Sequence, residues 1–233
     1  IRPILALEAC RAVGGRPESV MPAALALELI HSYSLVHDDL PCMDNDLSRR
    51  GKPSCHVKFG EVTALLAGDA LLTLAFEILC RGTARRAPTK SGNRYLTAIQ
   101  WIAQAIGHQG MVGGQALDME YQGKEMDLPT AEYINTHKSG ALIAVSTRVG
   151  ATLGGGSPRD VEALHRYGKY IGLLFQVVDD IMDKQGYAQV IGVSEAREEA
   201  KNLLEMAKNA LKPLKPRGQS LADLAQFIAN RKS

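Results

Sequence analysis

The chain has 233 residues, 45% hydrophobic and 5% aromatic, enough for one large domain (residues 1–233) with a real core. A net charge of +2 excludes a broad basic surface for nucleic acid, and Cys10, Cys42, Cys55 and Cys80 show no C-x-x-C pairing that suggests zinc or a disulfide framework. Glu28, Asp69 or Glu77 interrupts each of the most apolar stretches, and no signal peptide opens the chain. Stable membrane insertion is therefore not expected, and a reduced, cytoplasmic protein is.

The chain opens at Ile1-Arg2-Pro3 without an initiator methionine, and an absent upstream segment is expected. Residues Ile4 to Val13 read as a Leu/Ala-rich helix, closed by the turn Gly14-Gly15-Arg16-Pro17. Met21 to Asp39 reads as a long helix, apolar on nearly every face and so expected inside a bundle. Gly51-Lys52-Pro53 breaks the pattern. Glu61 to Cys80 is again apolar all round, with Asp69 its central charge. Arg81 to Arg94 reads as a surface connection. Leu96 to Gly107 is helical, and Gly110 to Glu120 continues it after a break. Leu128-Pro129-Thr130 looks like a helix start, with Thr130 as N-cap and Tyr133 to Val149 following. After the loop Gly154 to Pro158, opened by Ser157 or Pro158, the third strongly apolar helix runs from Val161 to Asp183. Ala196 to Leu211 is amphipathic and peripheral, and Leu221 to Ala229 closes the chain. Period-2 alternation is nearly absent, so the fold class is all-α.

Two of the apolar helices end in acidic clusters. The first delivers Asp38 and Asp39; Leu40 to Met43 include Pro41, so Asp44 reaches back from a turn or a restarted helix, and Arg49 and Arg50 follow. The second carries Asp179, Asp180 and Asp183 at i, i+1 and i+4, with Gln176 one turn earlier. One such cluster alone reads as a solvated helix end. Two, each beside a very apolar helix, call for compensation of buried carboxylate charge, and a metal is the usual compensation. Oxygen-only donors without a His/Cys cluster point to magnesium, which shares its coordination with substrate phosphates, so a diphosphate ligand is expected. Arg49 and Arg50 can reach the same ligand, and as adjacent side chains they can serve two phosphate groups. Lys138, in T-H-K-S-G, fits a solvated helical lysine as well as a ligand-binding one. His31, two turns before Asp38, fits a satisfied core histidine equally well, and Arg2 by itself is as ambiguous.

Taken together, these residues resemble the trans-prenyltransferases, the isoprenyl diphosphate synthases. The family's D-D-x-x-x-x-D…R-R-G motif matches Asp38, Asp39, Asp44, Arg49, Arg50 and Gly51. Its F-Q-x-x-D-D-x-x-D motif matches Phe175, Gln176, Asp179, Asp180 and Asp183. The K-[ST]-G element matches Lys138, Ser139 and Gly140, and G-G-Q-x-x-D matches Gly113, Gly114, Gln115 and Asp118. Arg2-Pro3 resembles the end of a G-G-K-R-x-R-P element.

The resemblance implies a helical bundle around a central cavity, a homodimer, and three magnesium ions held by Asp38, Asp39, Asp44, Asp179, Asp180 and Asp183, with Asp38, Asp44 and Asp179 foremost. It implies Arg49, Lys138, Ser139 and Gln176 on the allylic diphosphate, and Arg2, His31 and Arg50 on isopentenyl diphosphate. The expected reaction ionises the allylic substrate, joins isopentenyl diphosphate to it and eliminates a proton to the departing diphosphate. Tyr33 and Ser34, five and four positions before Asp38, are expected to set the floor for the growing chain; one helical turn spans ~5.4 Å, about one isoprene unit. With Leu40-Pro41-Cys42-Met43 inside the motif, Tyr33 makes the chain most like the bacterial farnesyl diphosphate synthases. Geranylgeranyl diphosphate synthesis, or a non-catalytic partner subunit, are the alternatives. The chain departs from the family in lacking the upstream G-G-K-R and a G-K-x-x-G-x-D segment after Asp183, both expected to exist in the natural protein, and in placing Asn135 where many members have His.

Overall fold

The computed structural model describes residues 1–84, 90–184 and 186–231. The order along them is α1 (Arg2–Ala12), α2 (Met21–Asp38), β1 (Ser48–Arg49), β2 (Lys52–Pro53), α3 (Cys55–Phe59), α4 (Glu61–Ala84), α5 (Lys90–Ile106), α6 (Met111–Tyr121), α7 (Leu128–Ile134), a π-helical turn (Asn135–Gly140), α8 (Ala141–Leu153), α9 (Pro158–Asp183), α10 (Gly186–Ile191), α11 (Val193–Ala210) and α12 (Gln219–Ala229). The all-α expectation holds, with one small exception. β1 and β2 pair antiparallel, Ser48 with Pro53 and Arg49 with Lys52. The two-residue loop between them, Arg50-Gly51, has positive φ at both positions (54° and 74°), the mirror-image turn whose twist suits a tight hairpin.

The middle of the bundle is α8, buried almost throughout from Leu142 to Leu153 and packed on α1, α5 and α9. Small residues allow this closeness. A Cβ at Gly150 would sit 2.1 Å from the Ala6 carbonyl oxygen, and one at Gly168 would sit 2.9 Å from the Ala144 Cα. The buried hydroxyls of α8 are satisfied locally: Ser146 donates to the Leu142 carbonyl (2.7 Å), and Thr147 donates to the Ala144 and Leu164 carbonyls (2.9 and 2.8 Å). The apolar core lies on both sides of this helix. One half joins α1 and α8 to α9, α11 and α12 through Leu164, Tyr167, Ile171 and Leu174; the other joins them to α2, α4 and α5 through Leu27, Ile30, Leu79 and Ile102. Each of these buried side chains contributes about 1.5–3 kcal/mol.

Several local expectations change. Asp127, not Thr130, caps α7: its carboxylate accepts the Thr130 backbone N–H at 2.9 Å. The helix expected from Tyr133 to Val149 is interrupted by the π turn, which widens the backbone at Lys138. Ser157 does cap α9, in a reciprocal box with Asp160. The connection expected over Arg81 to Arg94 lies partly outside the described residues, as does the chain at Gln185. On α2, Met21 and Leu25 face outward, and on α4 so do Val62, Leu65, Leu66 and Leu74. Contrary to the reading of the interrupting charges, the stretch Glu61–Arg81 is long and apolar enough to cross a membrane by length and composition. In the fold it packs one side on α2 and α5 and leaves the other side bare.

Candidate active site

Asp38 is the last residue of α2, and the chain folds back at once: the Asp44 N–H donates to the Asp38 carbonyl (2.9 Å) and the Asn45 N–H to the Leu40 carbonyl (3.1 Å). This turn places Asp44 beside Asp38. Burial pushes the Asp38 carboxyl up to about 6; Lys138 pulls it down, and Asp44 adds to the rise. Burial also raises Asp44, against the pull of Lys138. Crowded, partly desolvated carboxylates of this kind want a cation.

Asp39 faces the other way. It is 2% exposed, and both its oxygens accept from Arg49 Nε, at 2.7 and 3.0 Å. Arg49 also reaches Asp46 at 3.2 Å. Asp39, expected among the metal ligands, is thus engaged by Arg49, and Arg49, expected on a diphosphate, is engaged by Asp39.

A cavity of about 450 Å³ opens below Asp38. The structure brings Arg2, His31, Tyr33, Ser34, Asp38, Lys138 and Ser139 to its wall, joining residues of α1, α2 and the π turn. Its basic end is sharply electropositive. Burial holds Arg2 down to about 10, with Glu28 opposing and the charge of Arg50 adding. His31 is pushed down to about 3, first by burial and then by Arg2 and Arg50, so it stays a neutral imidazole. The Arg2 Nε has no hydrogen-bond partner among the described residues. Tyr33 is 8% exposed and meets His37 edge to face, ring centroids 5.8 Å apart. His37 is clamped on α4, its Nε2 2.9 Å from the Leu65 carbonyl oxygen.

Lys138 carries the link to the second acidic cluster. Its Nζ donates to Asp118 at 2.5 Å, and with Ser139 it also lines a smaller pocket of about 210 Å³ shared with Gln176 and Asp180. Asp180 is buried and fully engaged: it accepts from Asn135 Nδ2 (3.0 Å), Gln176 Nε2 (3.0 Å) and the Tyr187 backbone N–H (2.8 Å). Asp180, also expected on metal, therefore anchors the start of α10, and Gln176, expected on substrate, holds Asp180. Asp179 lies on the adjoining face and pairs with Arg231, whose guanidinium stacks on the Phe175 ring at 4.2 Å. Burial raises the Asp179 carboxyl and Arg231 lowers it. Asp183 ends α9 in an exposed position, and Arg50 is exposed on the hairpin turn.

Among the described residues no three His, Cys, Asp or Glu side chains gather closely enough to hold a metal ion by themselves. Asp38 and Asp44 still suit magnesium, which takes one or two carboxylates and completes its shell with water and substrate phosphate.

Four contributors had no role assigned from the sequence. Asp118 holds Lys138, and Gln115 lines the cavity with an amide nitrogen that has no partner among the described residues. Gly114 lets α6 lie on the π turn, where a Cβ would stand 2.3 Å from the Lys138 backbone nitrogen. Arg231 reaches Asp179 from the far end of the chain. The G-G-Q-x-x-D spacing was the available signal for the first three; nothing local marks Arg231.

The polyprenyl synthetase family model matches residues 1–201. The chain is 43% identical to the chloroplastic geranylgeranyl pyrophosphate synthase of Capsicum annuum over 252 aligned positions, covering 99% of this chain and 67% of that one. It is 39% identical to the farnesyl diphosphate synthase of Geobacillus stearothermophilus, covering 99% and 83%. The crystal structure of a geranyltransferase from Legionella pneumophila superposes with a TM-score of 0.92 at 35% identity, covering 100% and 82%. The 252 aligned positions exceed the 233 residues here, so the pepper enzyme carries residues inside the matched span that this chain lacks. Motifs, fold and relatives agree: the chain belongs to the polyprenyl synthetase family of trans-prenyl diphosphate synthases.

Proposed function

We propose that the protein condenses isopentenyl diphosphate with dimethylallyl and geranyl diphosphates to give farnesyl diphosphate, with magnesium as cofactor. The observation that carries this is the single cavity holding Asp38, Lys138 and Ser139 at one end, Arg2 and His31 at another, and Tyr33 in its wall. Asp38 and Asp44 hold the metal, which when bound neutralises diphosphate charge and favours its departure. Occupancy by three ions requires Asp179 and Asp183 as well, and so requires Asp179 to leave Arg231.

The chain's own groups do the rest. Lys138 and Arg49 transfer from Asp118 and Asp39 to the allylic diphosphate, while Gln176 and Ser139 steady that side. Arg2, Arg50 and neutral His31 seat isopentenyl diphosphate, His31 as an N–H donor rather than a cation. The apolar walls exclude water from the allylic cation formed when the carbon–oxygen bond breaks. The double bond of isopentenyl diphosphate attacks that cation, and the departing diphosphate takes the proton then lost. Tyr33, with Ser34 beside it, stops the chain at fifteen carbons. A twenty-carbon product is the second reading, favoured by the 43% identity to the geranylgeranyl pyrophosphate synthase of pepper. The experiment is chromatography of the product made from dimethylallyl and isopentenyl diphosphates with magnesium. A C15 product supports the proposal, a C20 product replaces it with the second reading, and no product at all overturns both in favour of a non-catalytic subunit.

Homodimerisation belongs to the same proposal. The bare apolar side of α4, continued by Leu96 on α5, is a surface that a second copy would cover. One domain over residues 1–233 and a cytoplasmic location complete it. The free thiols of Cys10, Cys42 and Cys55 support a reducing compartment.

A further inference from the structure

A second cavity, of about 620 Å³, lies between α5, α8 and α9, on the other side of the π turn: Lys138 and Ser139 face the catalytic cavity, whereas Thr136 and His137 line this one. No aspartate or glutamate lines it among the described residues, while Arg148, His165 and Lys169 do. The Arg148 guanidinium is stacked over the Trp101 ring at 3.7 Å. Arg148 Nε and His165 Nδ1 are buried with no hydrogen-bond partner among the described residues. Burial lowers Arg148 against the opposing pull of Glu162, and His165 is lowered by burial, Arg148 and Lys169. Glu162, which is exposed, acts at a distance and does not enter the cavity wall. Buried nitrogen donors without an acceptor are costly, and an anion bound beside them offsets the cost. Tyr170 and Leu173, with Ala141, Ala144 and Val145, make an apolar side to the wall, and Gln104, Gln109, Thr136 and His137 add polar groups elsewhere on it. The volume is in the ordinary range for small-ligand sites, about 300–1,000 Å³.

We infer that this cavity is a second binding site, built for a phosphate ester with a short apolar tail: Arg148, His165 and Lys169 receive the phosphate and the Tyr170–Leu173 side receives the tail. Three separate basic groups suit the several oxygens of a phosphate better than the single plane of a carboxylate. The site differs from the catalytic cavity in having no carboxylates, so it needs no divalent ion.

Trp101 is the chain's single tryptophan and stands in the wall, so its fluorescence reports occupancy. The test is titration of the full chain with hexyl phosphate in EDTA, followed by Trp101 fluorescence and by heat. A saturable signal is expected from the wild type. Lys169→Glu, at an exposed position that leaves the fold intact, and Arg148→Gln should each bind about tenfold more weakly or worse. Lys138→Ala, in the catalytic cavity, should bind as the wild type does. Hexanol, which lacks the charge, should not bind. A wild-type titration flat in both signals overturns the inference. So does undiminished binding by Lys169→Glu, or loss of binding in Lys138→Ala, which would assign the ligand to the catalytic cavity.

Discussion

Gly114→Ala probes the proposed role of Lys138 without touching a charged group. The new Cβ would lie 2.3 Å from the Lys138 backbone nitrogen and 2.9 Å from the His137 carbonyl carbon, whereas ordinary contact begins near 3.4 Å. Both neighbours are backbone, so no side chain can swing aside, and α6 and the π turn must separate by about 1 Å. A misplacement of that size costs on the order of 10²-fold in rate when it moves a substrate-positioning group. Stability changes much less. Overpacking costs about 1–3 kcal/mol, and alanine returns up to about 1 kcal/mol of helix propensity, leaving a Tm fall below about 8 °C. The assay is kcat for condensation at a temperature well below Tm, alongside Gly168→Ala. There the Cβ would meet Thr147 Oγ1 at 2.2 Å, inside the core and away from the cavity. Gly114→Ala should lose about two orders of magnitude in kcat, and Gly168→Ala should lose stability with kcat retained. A Gly114→Ala enzyme within about threefold of wild type, at unchanged fold, would refute the argument that the π turn positions Lys138.

Tyr33→Ala should lengthen the product toward C20 while lowering stability by about 3 kcal/mol, the low end for a buried aromatic because one side already faces a cavity; an unchanged product distribution removes Tyr33 as the floor. Asn135→Ala strips Asp180 of a buried hydrogen bond and should cost about 1–3 kcal/mol by denaturant unfolding; a change below about 0.5 kcal/mol shows that the bond is idle. His31, pushed down to about 3, should show no imidazole titration by NMR between pH 5 and 8. Protonation then favours the unfolded chain, so the contribution of His31 to stability is complete above its ordinary value of 6.5 and is lost as pH falls toward about 3. A midpoint near 6.5 in the folded protein contradicts the buried, cation-flanked setting. Leu66→Glu, on the bare side of α4, should halve the mass measured by light scattering; an unaltered mass places the dimer contact elsewhere.

Much of the fold could be read directly because helical periodicity is local. The ends of α2 and α9 at their acidic clusters, the Ser157 cap and the return of Asp44 toward Asp38 all follow from residues a few positions apart. The hairpin was missed because two residues per strand are too short to show alternation, and the π turn because its composition differs little from that of an α-helix.

What the sequence determined by itself was the class of fold and the family that the two aspartate motifs identify. Only the tertiary structure separated carboxylates with similar local spacing into different duties. Asp38 lines the cavity with Asp44 folded back next to it, Asp39 is engaged by Arg49, Asp180 by Asn135 across 45 positions and Asp179 by Arg231 across 52. Those pairings depend on where distant helices meet, and neither periodicity nor spacing within one helix carries that information.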